Sequence, residues 1–586
     1  MSFNLFPEEQ IIGLFNGLRD GGLEFHADLV ISYRKEFQRI PMHGQFILIQ
    51  LETTREAMLG RIVSLCSDGK FSSKESEDMI LRALREKREV PEQLREEGLK
   101  YRVSIQVLGI LRYCHNGRLA FVASHRRLPH LGSLVAFPSA KVLQEISGHN
   151  IQGVTIGHFA LGEYIYAKGS QEMKVEDWMH VVSPEVCVRF SVKSLISRRS
   201  FIFARAGFGK SNLNKLLFSE LYKTTPTILK RGQREVPVGT IIFDPDGEYF
   251  WPDDQGRPGL CDIPELEDKL VVFTSRKGPS EFYQSFVASG IKIDVSRLSP
   301  SDVLSIALGA HKQDQQNVRK LKDLDAYSWR DLVHLIAESG NTAPLEEVCD
   351  ILHLEKKQEA EALAARANMT AVLHSFHENG SSFLDILFAA LTQGKLCIID
   401  MSQMRDATSL ILSALILRLI FDRNQAAYTR SQSDAIPTIA VIEEAQAILT
   451  EKSSAAQPYL SWIKEGRKYG LGALLITQQP GSIPTEILSQ GDNWFVLHLL
   501  SAIDLKNLQR ANAYFSQDIL SMLLNEPLAG HCTLWSSVGG KPYPIPLRIV
   551  SFEQKYSLRD PYYNRPSVFT YARSIRAQMK QRVDAA

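Results

Sequence analysis

The residues best suited to chemistry lie in a glycine-rich stretch that begins near residue 205. An apolar run, residues 201–204, leads into this stretch, and a helix-favouring segment, residues 212–222, follows it. Small residues allow backbone N–H groups to close around phosphate groups at the N-terminus of a helix. The order of strand, loop and helix therefore predicts a phosphate-binding loop, formed by Ala206, Gly207, Phe208, Gly209, Lys210, Ser211 and Asn212.

Two side chains of this loop have predicted roles. We expect Lys210 to reach the β- and γ-phosphates of ATP, and the Ser211 hydroxyl to ligate Mg²⁺. Ala204 occupies the position at which the pattern G-x-x-x-x-G-K-[ST] has its first glycine. Because alanine is the smallest residue with a Cβ, we expect it to alter how tightly the loop turns rather than to abolish phosphate binding.

Two adjacent acids, Glu443 and Glu444, form a second motif directly after the apolar run of residues 438–442. We expect Glu443 to hold the Mg²⁺ shell through water, and Glu444 to orient and deprotonate the attacking water. Adjacent side chains on a strand point to opposite faces, so the two acids are not expected to share one role. The alternative is a solvated pair of acids that only ends the strand.

Two polar residues further along the chain complete the predicted catalytic set. Gln478 ends the next apolar strand, residues 473–477, where it can contact the γ-phosphate; the alternative is a turn hydrogen bond before Pro480. Arg467 lies on the basic turn before that strand, and we expect it to act as an arginine finger on the nucleotide of a neighbouring subunit. The alternative is a surface arginine paired with Glu465 or Glu443.

A further acidic segment, Asp244-Pro-Asp246-Gly-Glu248-Tyr249, ends another apolar strand. Open α/β sheets bind ligands at the carboxyl ends of their strands, so these acids could support the nucleotide site. They could equally build a turn in which an aspartate side chain accepts backbone N–H bonds.

Length and composition limit the classes of protein. A chain of 586 residues is too long for one core and predicts two to four domains. Hydrophobic residues at 44% and charged residues at 23% exclude a disordered, fibrous or membrane-spanning chain, and the net charge of +1 gives no global attraction to nucleic acid. The longest apolar run, residues 409–421, contains Arg418 and predicts a buried helix. The first ten residues resemble no secretory signal, so we expect a cytoplasmic protein without a membrane.

The seven cysteines are scattered without a CxxC pair, which predicts buried thiols in a reducing compartment and no zinc site. The sequence also shows no cluster of His, Asp and Glu with metal-ligand spacing outside the ATP site. Any nuclease or NAD chemistry is therefore expected to come from another chain.

The elements that must position these motifs divide the chain into three parts. Residues 1–190 contain short alternating strands and predict a small β-barrel domain, with a charged helical insertion near residues 72–100. Residues 191–550 alternate apolar strands with helices, which predicts an α/β domain with a parallel sheet covered on both faces and a helical insertion near residues 295–390. Residues 551–586 form a polar tail that we expect to pack on the sheet domain or on a neighbouring copy.

Together these segments resemble the HerA family of P-loop ATPases, in the HerA/FtsK branch of RecA-like motors. The resemblance rests on the glycine-rich loop, the segments 241–249, 441–446 and 465–470, and the segments 476–480 and 483–490. It implies a RecA-like P-loop NTPase domain preceded by a HAS-barrel, and a homo-hexamer that uses ATP and Mg²⁺. Phe208 and Gln446 stand where relatives more often carry Ser and His, which bears on the hydrolysis rate more than on nucleotide binding.

The resemblance also implies partners. Relatives form a ring around duplex DNA in a central pore and work with a partner effector, either a NurA-like or other nuclease or a sirtuin-like NADase, in DNA end processing or in anti-phage operons. The leading hypothesis is therefore an ATP-driven DNA translocase. The alternatives are an ATP-bound ring scaffold that regulates an effector and, less well supported, a conjugative secretion ATPase. Arg405, Arg430 and Lys452 are candidates for basic residues that line the pore.

Overall fold

The computed structural model describes residues 4–21, 24–68, 81–82, 85–86, 100–114, 116–170, 173, 175–230, 234–355, 358–428, 430, 434–450, 455–539 and 541–584. The chain forms two compact units. The barrel unit comprises residues 1–191, 203–209 and 492–554, and the sheet unit comprises residues 192–202, 210–491 and 555–586. Most of the helical insertion predicted near residues 72–100 lies outside the described residues.

The strands of the described chain are named here in chain order: β1 (Ile11–Gly21), β2 (Glu24–Ser32), β3 (Phe46–Gln50), β4 (Glu56–Asp68), β5 (Lys100–Tyr113), β6 (Leu119–Val122), β7 (Leu134–Ala136), β8 (Val154–Leu161), β9 (Tyr164–Ile165), β10 (His180–Val181), β11 (Cys187–Phe190), β12 (Arg199–Phe203), β13 (Thr227–Leu229), β14 (Glu235–Pro237), β15 (Gly239–Asp244), β16 (Leu270–Phe273), β17 (Val287–Ser289), β18 (Leu396–Asp400), β19 (Thr438–Ile442), β20 (Leu471–Thr477), β21 (Asn493–Val496), β22 (His531–Ser536) and β23 (Ile545–Ile549).

The α-helices of the described chain are named in the same way: α1 (Ala140–Ile146), α2 (Lys210–Leu221), α3 (Glu281–Gln284), α4 (Pro300–Ala307), α5 (Gln316–Lys322), α6 (Ala326–Ser339), α7 (Leu345–Ile351), α8 (Glu359–Phe376), α9 (Phe383–Thr392), α10 (Asp406–Tyr428), α11 (Ala445–Thr450), α12 (Ala456–Glu465), α13 (Thr485–Leu488), α14 (Ala502–Ala511), α15 (Gln517–Asn525), α16 (Phe552–Lys555) and α17 (Tyr571–Asp584).

The first sheet of the barrel unit closes on itself. Its order is β2-β1-β7-β3-β4-β5, with β6 beyond β5, and β2 also pairs with β5 to close a six-stranded barrel. The predicted barrel is thereby confirmed. The sequence did not reveal β1 and β2, because glycines interrupt the apolar pattern of β1. One of them, Gly13, is required by close packing, since a Cβ there would lie 2.2 Å from the Val30 carbonyl oxygen.

The barrel unit also contains strands in the order β10-β9-β8-β23-β22-β21, and β11 pairs with β8. A buried ion pair stabilises the same unit: Arg61 Nε donates to Asp518 Oδ2 at 2.8 Å, and Arg61 Nη2 donates to Gln106 Oε1 at 2.8 Å. Burial alone would raise the pKa of Asp518, but the guanidinium of Arg61 and the hydroxyl of Ser516 outweigh it and hold that pKa below its usual value.

The sheet unit contains the predicted parallel sheet. Its strands follow the order β12-β20-β19-β15-β18-β16-β17, and the pairings β20–β19, β19–β15, β15–β18, β18–β16 and β16–β17 are all parallel. Every residue of β15, β18, β19 and β20 is buried, as expected for strands covered on both faces. The predicted α/β fold class is confirmed.

Helices and the C-terminal segment complete the sheet unit. Between β17 and β18 the described residues form α4 to α9 and contain no strand, in the region where the sequence predicts a helical insertion. From Lys555 onward the chain runs along the same unit: Lys555 Nζ lies 2.8 Å from Glu220 Oε1, and the backbone N–H of Arg559 donates to Asp262 Oδ1 at 2.9 Å. The predicted tail thus packs on the sheet unit of its own chain.

Candidate nucleotide site

The order of strands explains why residues far apart in sequence meet at one edge of the sheet unit. β20 lies between β12 and β19, and β15 lies on the other side of β19. Because β15, β19 and β20 are parallel, the segments that follow them emerge at the same edge. This is the carboxyl edge, at which open α/β sheets bind ligands.

The glycine-rich loop needs its two glycines for their backbone conformation. Gly207 and Gly209 have φ angles of +82° and +103°, which lie in the left-handed region. A Cβ at Gly207 would meet nothing within 4 Å, so conformation rather than space requires glycine there. α2 begins at Lys210, directly after this loop, so the N-terminus of a twelve-residue helix follows the turn. Such a terminus presents backbone N–H groups to an anion.

The two polar side chains at the start of α2 each contact an acid. Lys210 Nζ lies 3.5 Å from Glu444 Oε1. The Ser211 hydroxyl donates a hydrogen bond to Glu248 Oε1, from the segment after β15. The predicted phosphate-contacting lysine and metal-ligating serine therefore lie beside carboxylates from two neighbouring strands.

Glu443 and Glu444 have different environments. β19 ends at Ile442, so both acids lie beyond the strand, and the expectation that they alternate along it is wrong. Glu444 instead adopts a φ of +47°, a left-handed conformation that costs a residue with a Cβ free energy and that clusters at functional sites. Glu443 is buried and accepts a hydrogen bond from the Tyr249 hydroxyl. Its burial raises the pKa to about 8, against the opposing effect of Lys210.

A chain of hydrogen bonds fixes the Glu444 carboxylate. Gln478 Nε2 donates to Glu444 Oε1 at 3.0 Å, and Gln446 Nε2 donates to Glu444 Oε2. The Thr477 hydroxyl in turn donates to Gln446 Oε1 at 2.5 Å. Both oxygens of the Glu444 carboxylate thus accept a hydrogen bond from a glutamine side-chain amide.

Asp244 organises the acidic segment after β15. Its carboxylate accepts hydrogen bonds from the backbone N–H groups of Gly247 at 2.7 Å and Tyr249 at 3.1 Å. The segment thus forms the predicted turn in which an aspartate side chain accepts backbone hydrogen bonds. Burial raises the pKa of Asp244 to about 8, against the backbone donor Gly247, and the charge of Asp400 raises it further. The turn also places Glu248 beside Ser211. Support of the nucleotide site by this segment stays a prediction.

Comparison with known proteins shows a similarity over part of this chain. Residues 179–420 match the family model described as "Helicase HerA, central domain". That match includes the glycine-rich loop, so the chain is a P-loop ATPase.

Relatives of the HerA domain extend the similarity. A probable helicase of Methanocaldococcus jannaschii is 24% identical over 395 residues, which cover 65% of this chain and 68% of the relative. The DNA double-strand break repair helicase HerA of Saccharolobus solfataricus is 22% identical over 390 residues, which cover 65% of this chain and 69% of the relative. The solved structure of the bacterial conjugative coupling protein TrwB aligns with a TM-score of 0.36 and 15% identity, over 70% of this chain and 96% of that one.

Arg467 lies far from the other predicted catalytic residues, Glu444 and Gln478. Arg467 is exposed and lies in the turn Gly466–Tyr469, immediately before β20, whereas Gln478 immediately follows that strand. A strand of seven residues spans about 23 Å, so Arg467 lies at the opposite edge of the sheet from Glu444. The structure thus brings together Lys210, Ser211, Glu443, Glu444 and Gln478, but not Arg467.

Sequence reasoning missed two contacts of this HerA site. Tyr249 belongs to the acidic segment after β15, and Gln446 follows Glu444 by two residues. The Tyr249 hydroxyl donates to Glu443, and Gln446 Nε2 donates to Glu444. Both residues lie within three positions of a predicted acid, and this closeness in sequence could have indicated that they contact the site.

A cavity of about 880 Å³ adjoins the acids. Its lining includes polar side chains, Asp246, Glu443, Glu444 and Gln478, and apolar residues of α4 and α10. Its size suits a small-molecule site. Among the described residues, no helix combines the length and the apolar character needed to cross a bilayer.

Proposed function

We propose that this chain is an ATP-hydrolysing motor that assembles as a homo-hexamer and moves duplex DNA through a central pore. The observation that carries the proposal is the set of contacts among Lys210, Glu444 and Gln478 at the carboxyl edge of a parallel sheet, next to a glycine-rich loop. The HerA central domain and the relatives described as helicases support the assignment to DNA.

Phosphate binding follows from the loop and the helix that begins after it. The left-handed Gly207 and Gly209 turn the backbone so that N–H groups can face the phosphates of ATP, together with the N-terminus of α2. Lys210 adds a positive charge, which in this structure is compensated by Glu444 at 3.5 Å. Incoming phosphates compete for that charge and release Glu444 for another partner.

The residues around Ser211 fit Mg²⁺, because its hydroxyl and the carboxylates of Glu248 and Glu443 are hard oxygen donors. The raised pKa of Glu443 reflects its burial and nearby carboxylates, and a cation would stabilise its ionised form. Bound there, Mg²⁺ supplies positive charge to the phosphates during transfer. Ser211 and Glu248 would ligate it directly, and Glu443 would act from the surrounding shell.

Glu444 is the proposed general base. Its carboxylate is held by Gln446 and Gln478 and is partly exposed, at 38%, so that it can accept a proton from a water molecule. Gln478 would orient the water or contact the γ-phosphate. Arg467 of a neighbouring copy would stabilise the transferred phosphoryl group, an effect worth roughly 10³ to 10⁵ in rate. Its position at the far edge of the sheet supports action in trans.

Contact with DNA would use local positive charge, since the chain as a whole carries only +1. Arg405 and Arg430 are exposed, as pore-lining residues must be, whereas Lys452 lies outside the described residues. The partner effector, a nuclease or NADase, would supply the chemistry that acts on DNA ends or in anti-phage defence.

An ATP-bound ring scaffold that regulates such an effector is the second candidate. Ala204 and Phe208 favour it, because both change the phosphate loop; the Phe208 ring lies 4.6 Å from that of His498. A conjugative secretion ATPase is a weaker alternative, which the N-terminal barrel disfavours.

Steady-state ATPase activity, measured with and without duplex DNA and alongside the mass from light scattering, tests the proposal. We expect a hexamer whose turnover rises with DNA, and whose DNA affinity falls with salt at a log–log slope near −0.9 per phosphate contacted. A stable ring with slow turnover that ignores DNA would instead support the scaffold, and a chain that binds no nucleotide would refute both.

A further inference from the structure

The barrel unit contains a cluster of three metal-binding side chains that the proposed function does not use. His158 lies on β8 and Cys187 on β11, and the two residues pair directly across these antiparallel strands. Directly paired residues project to the same face of a sheet. Glu185 lies two residues before Cys187 and joins them. Among the described residues, His158, Glu185 and Cys187 form a group whose donor atoms lie close enough together to hold a metal ion.

Two of the distances within the cluster are close to the edges of a metal tetrahedron. His158 Nε2 lies 3.5 Å from Glu185 Oε1, and Cys187 Sγ lies 3.7 Å from the same oxygen. All three donor atoms lie within 4.8 Å of one another. Tetrahedral zinc with bonds of about 2.0 Å to nitrogen or oxygen and about 2.3 Å to one sulfur separates these ligands by about 3.3 to 3.5 Å. An optimal N–H···O hydrogen bond would be shorter, near 2.9 Å.

Backbone contacts hold the ligands in place without a metal. The Glu185 carbonyl accepts from Gln144 Nε2 at 2.8 Å, and the Cys187 N–H donates to His149 Nδ1 at 2.9 Å. The intervening Val186 carbonyl accepts from the N–H of Phe159, next to His158, at 2.9 Å. Fixed backbone positions reduce the cost of ordering ligands around an ion.

The three members of the cluster differ in their exposure to solvent. His158 and Cys187 are buried, whereas the Glu185 side chain is 39% exposed. An ion would therefore enter past Glu185 and keep a solvent-facing coordination position. Three protein ligands with an open fourth position are the arrangement of zinc sites that bind water or an exogenous group.

We propose that His158, Glu185 and Cys187 bind a zinc ion in the barrel unit. The mixed nitrogen, oxygen and sulfur donors suit zinc better than Mg²⁺ or Ca²⁺, which prefer oxygen alone. The site links β8 to β11. The proposed site is independent of the ATPase assignment. A search of the sequence for CxxC pairs does not detect it, because residues 158 and 187 are brought together only by strand pairing.

Cobalt substitution tests the site in the full-length chain. After treatment with a chelator, Co²⁺ titration of the wild type should give one equivalent per chain with a near-ultraviolet thiolate-to-cobalt band and visible bands of tetrahedral cobalt. Cys187→Ser should abolish the thiolate band. Cys532→Ser is the matched control, since Cys532 is also a buried thiol but belongs to no such cluster, and it should keep the band.

A second measurement separates ligand loss from misfolding. Glu185→Gln changes a partly exposed side chain, and it should retain the wild-type circular dichroism while weakening Co²⁺ affinity at least about tenfold. The acids of the ATP site cannot produce a thiolate band, so metal bound there is distinguishable. A wild-type chain without the band, a band that persists in Cys187→Ser, or a Glu185→Gln chain with unchanged affinity would overturn the proposal.

Discussion

Replacing Glu444 by glutamine should separate ATP binding from ATP hydrolysis. The amide has nearly the same size as the carboxylate, and its oxygen can still accept the hydrogen bond that Gln478 Nε2 donates at 3.0 Å. It cannot, however, accept a proton from water at neutral pH. The loss of a general base costs about 10² to 10⁴ in rate, which corresponds to about 3 to 5 kcal/mol in the activation free energy.

Nucleotide affinity should not fall in the same variant. Glu444 lies 3.5 Å from Lys210 and repels incoming phosphates, so removing its charge leaves Lys210 more available to them. We expect affinity to stay level or to rise by up to about tenfold, and the protein to accumulate with ATP bound. Lys210→Ala should instead lose nucleotide binding, because no other side chain replaces its charge in the loop.

Two assays measure these outcomes: single-turnover hydrolysis of radiolabelled ATP, and equilibrium binding of a fluorescent ATP analogue. Glu338→Gln provides a matched control, because it makes the same chemical change on an exposed face of α6. Wild-type turnover by Glu444→Gln would refute the general-base assignment. Equal loss of binding in Glu444→Gln and Lys210→Ala would refute the division of roles between the two residues.

Three further predictions follow from individual contacts. Glu248→Gln should raise the Mg²⁺ concentration needed for half-maximal ATPase activity while leaving activity at saturating Mg²⁺ less affected, and an unchanged Mg²⁺ titration would remove Glu248 from the metal site. Arg467→Ala should keep nucleotide affinity, and verified mixed rings with Glu444→Gln should regain turnover; no recovery would reject action in trans. Arg61 holds the pKa of Asp518 below its ordinary value near 3.9, so around that pH the unfolded chain binds more protons than the folded chain. The contribution of this pair to the free energy of unfolding should therefore decrease as the pH falls below that value. In urea unfolding measured at a series of pH values, Asp518→Asn should reduce this decrease.

The sequence predicted those parts of the fold and site that depend on local order. The succession of apolar strand, glycine-rich loop and Lys210-Ser211 revealed the phosphate loop, and the family resemblance and ATPase assignment are confirmed. The apolar runs before Asp244 and Glu443 correctly predicted buried parallel strands. In each case the order of a few neighbouring residues in the chain is enough to predict the feature.

Features that depend on tertiary contacts could not be predicted. The left-handed conformation of Glu444 depends on what surrounds the end of β19, because an isolated glutamate disfavours it. The contact between Ser211 and Glu248 requires the helix and the turn after β15 to meet, and the pairing of His158 with Cys187 requires knowledge of strand register. The catalytic roles of Glu444, Gln478 and Arg467 remain predictions until the variants are measured.

The position of β20 relates the predicted catalytic groups to assembly. One buried strand carries Gln478 at its carboxyl end, against Glu444, and Arg467 just before its amino end, about 23 Å away. If phosphates bind beside Lys210 as proposed, an arginine at that distance cannot reach those of its own chain, so the proposed action of Arg467 requires a second copy. A displacement of Arg467 by the neighbour's nucleotide would be transmitted along a strand hydrogen-bonded within a close-packed sheet, which resists deformation. Movement of β20 would then shift Gln478 relative to Glu444, so that the nucleotide state of one subunit would influence the rate of hydrolysis in the next.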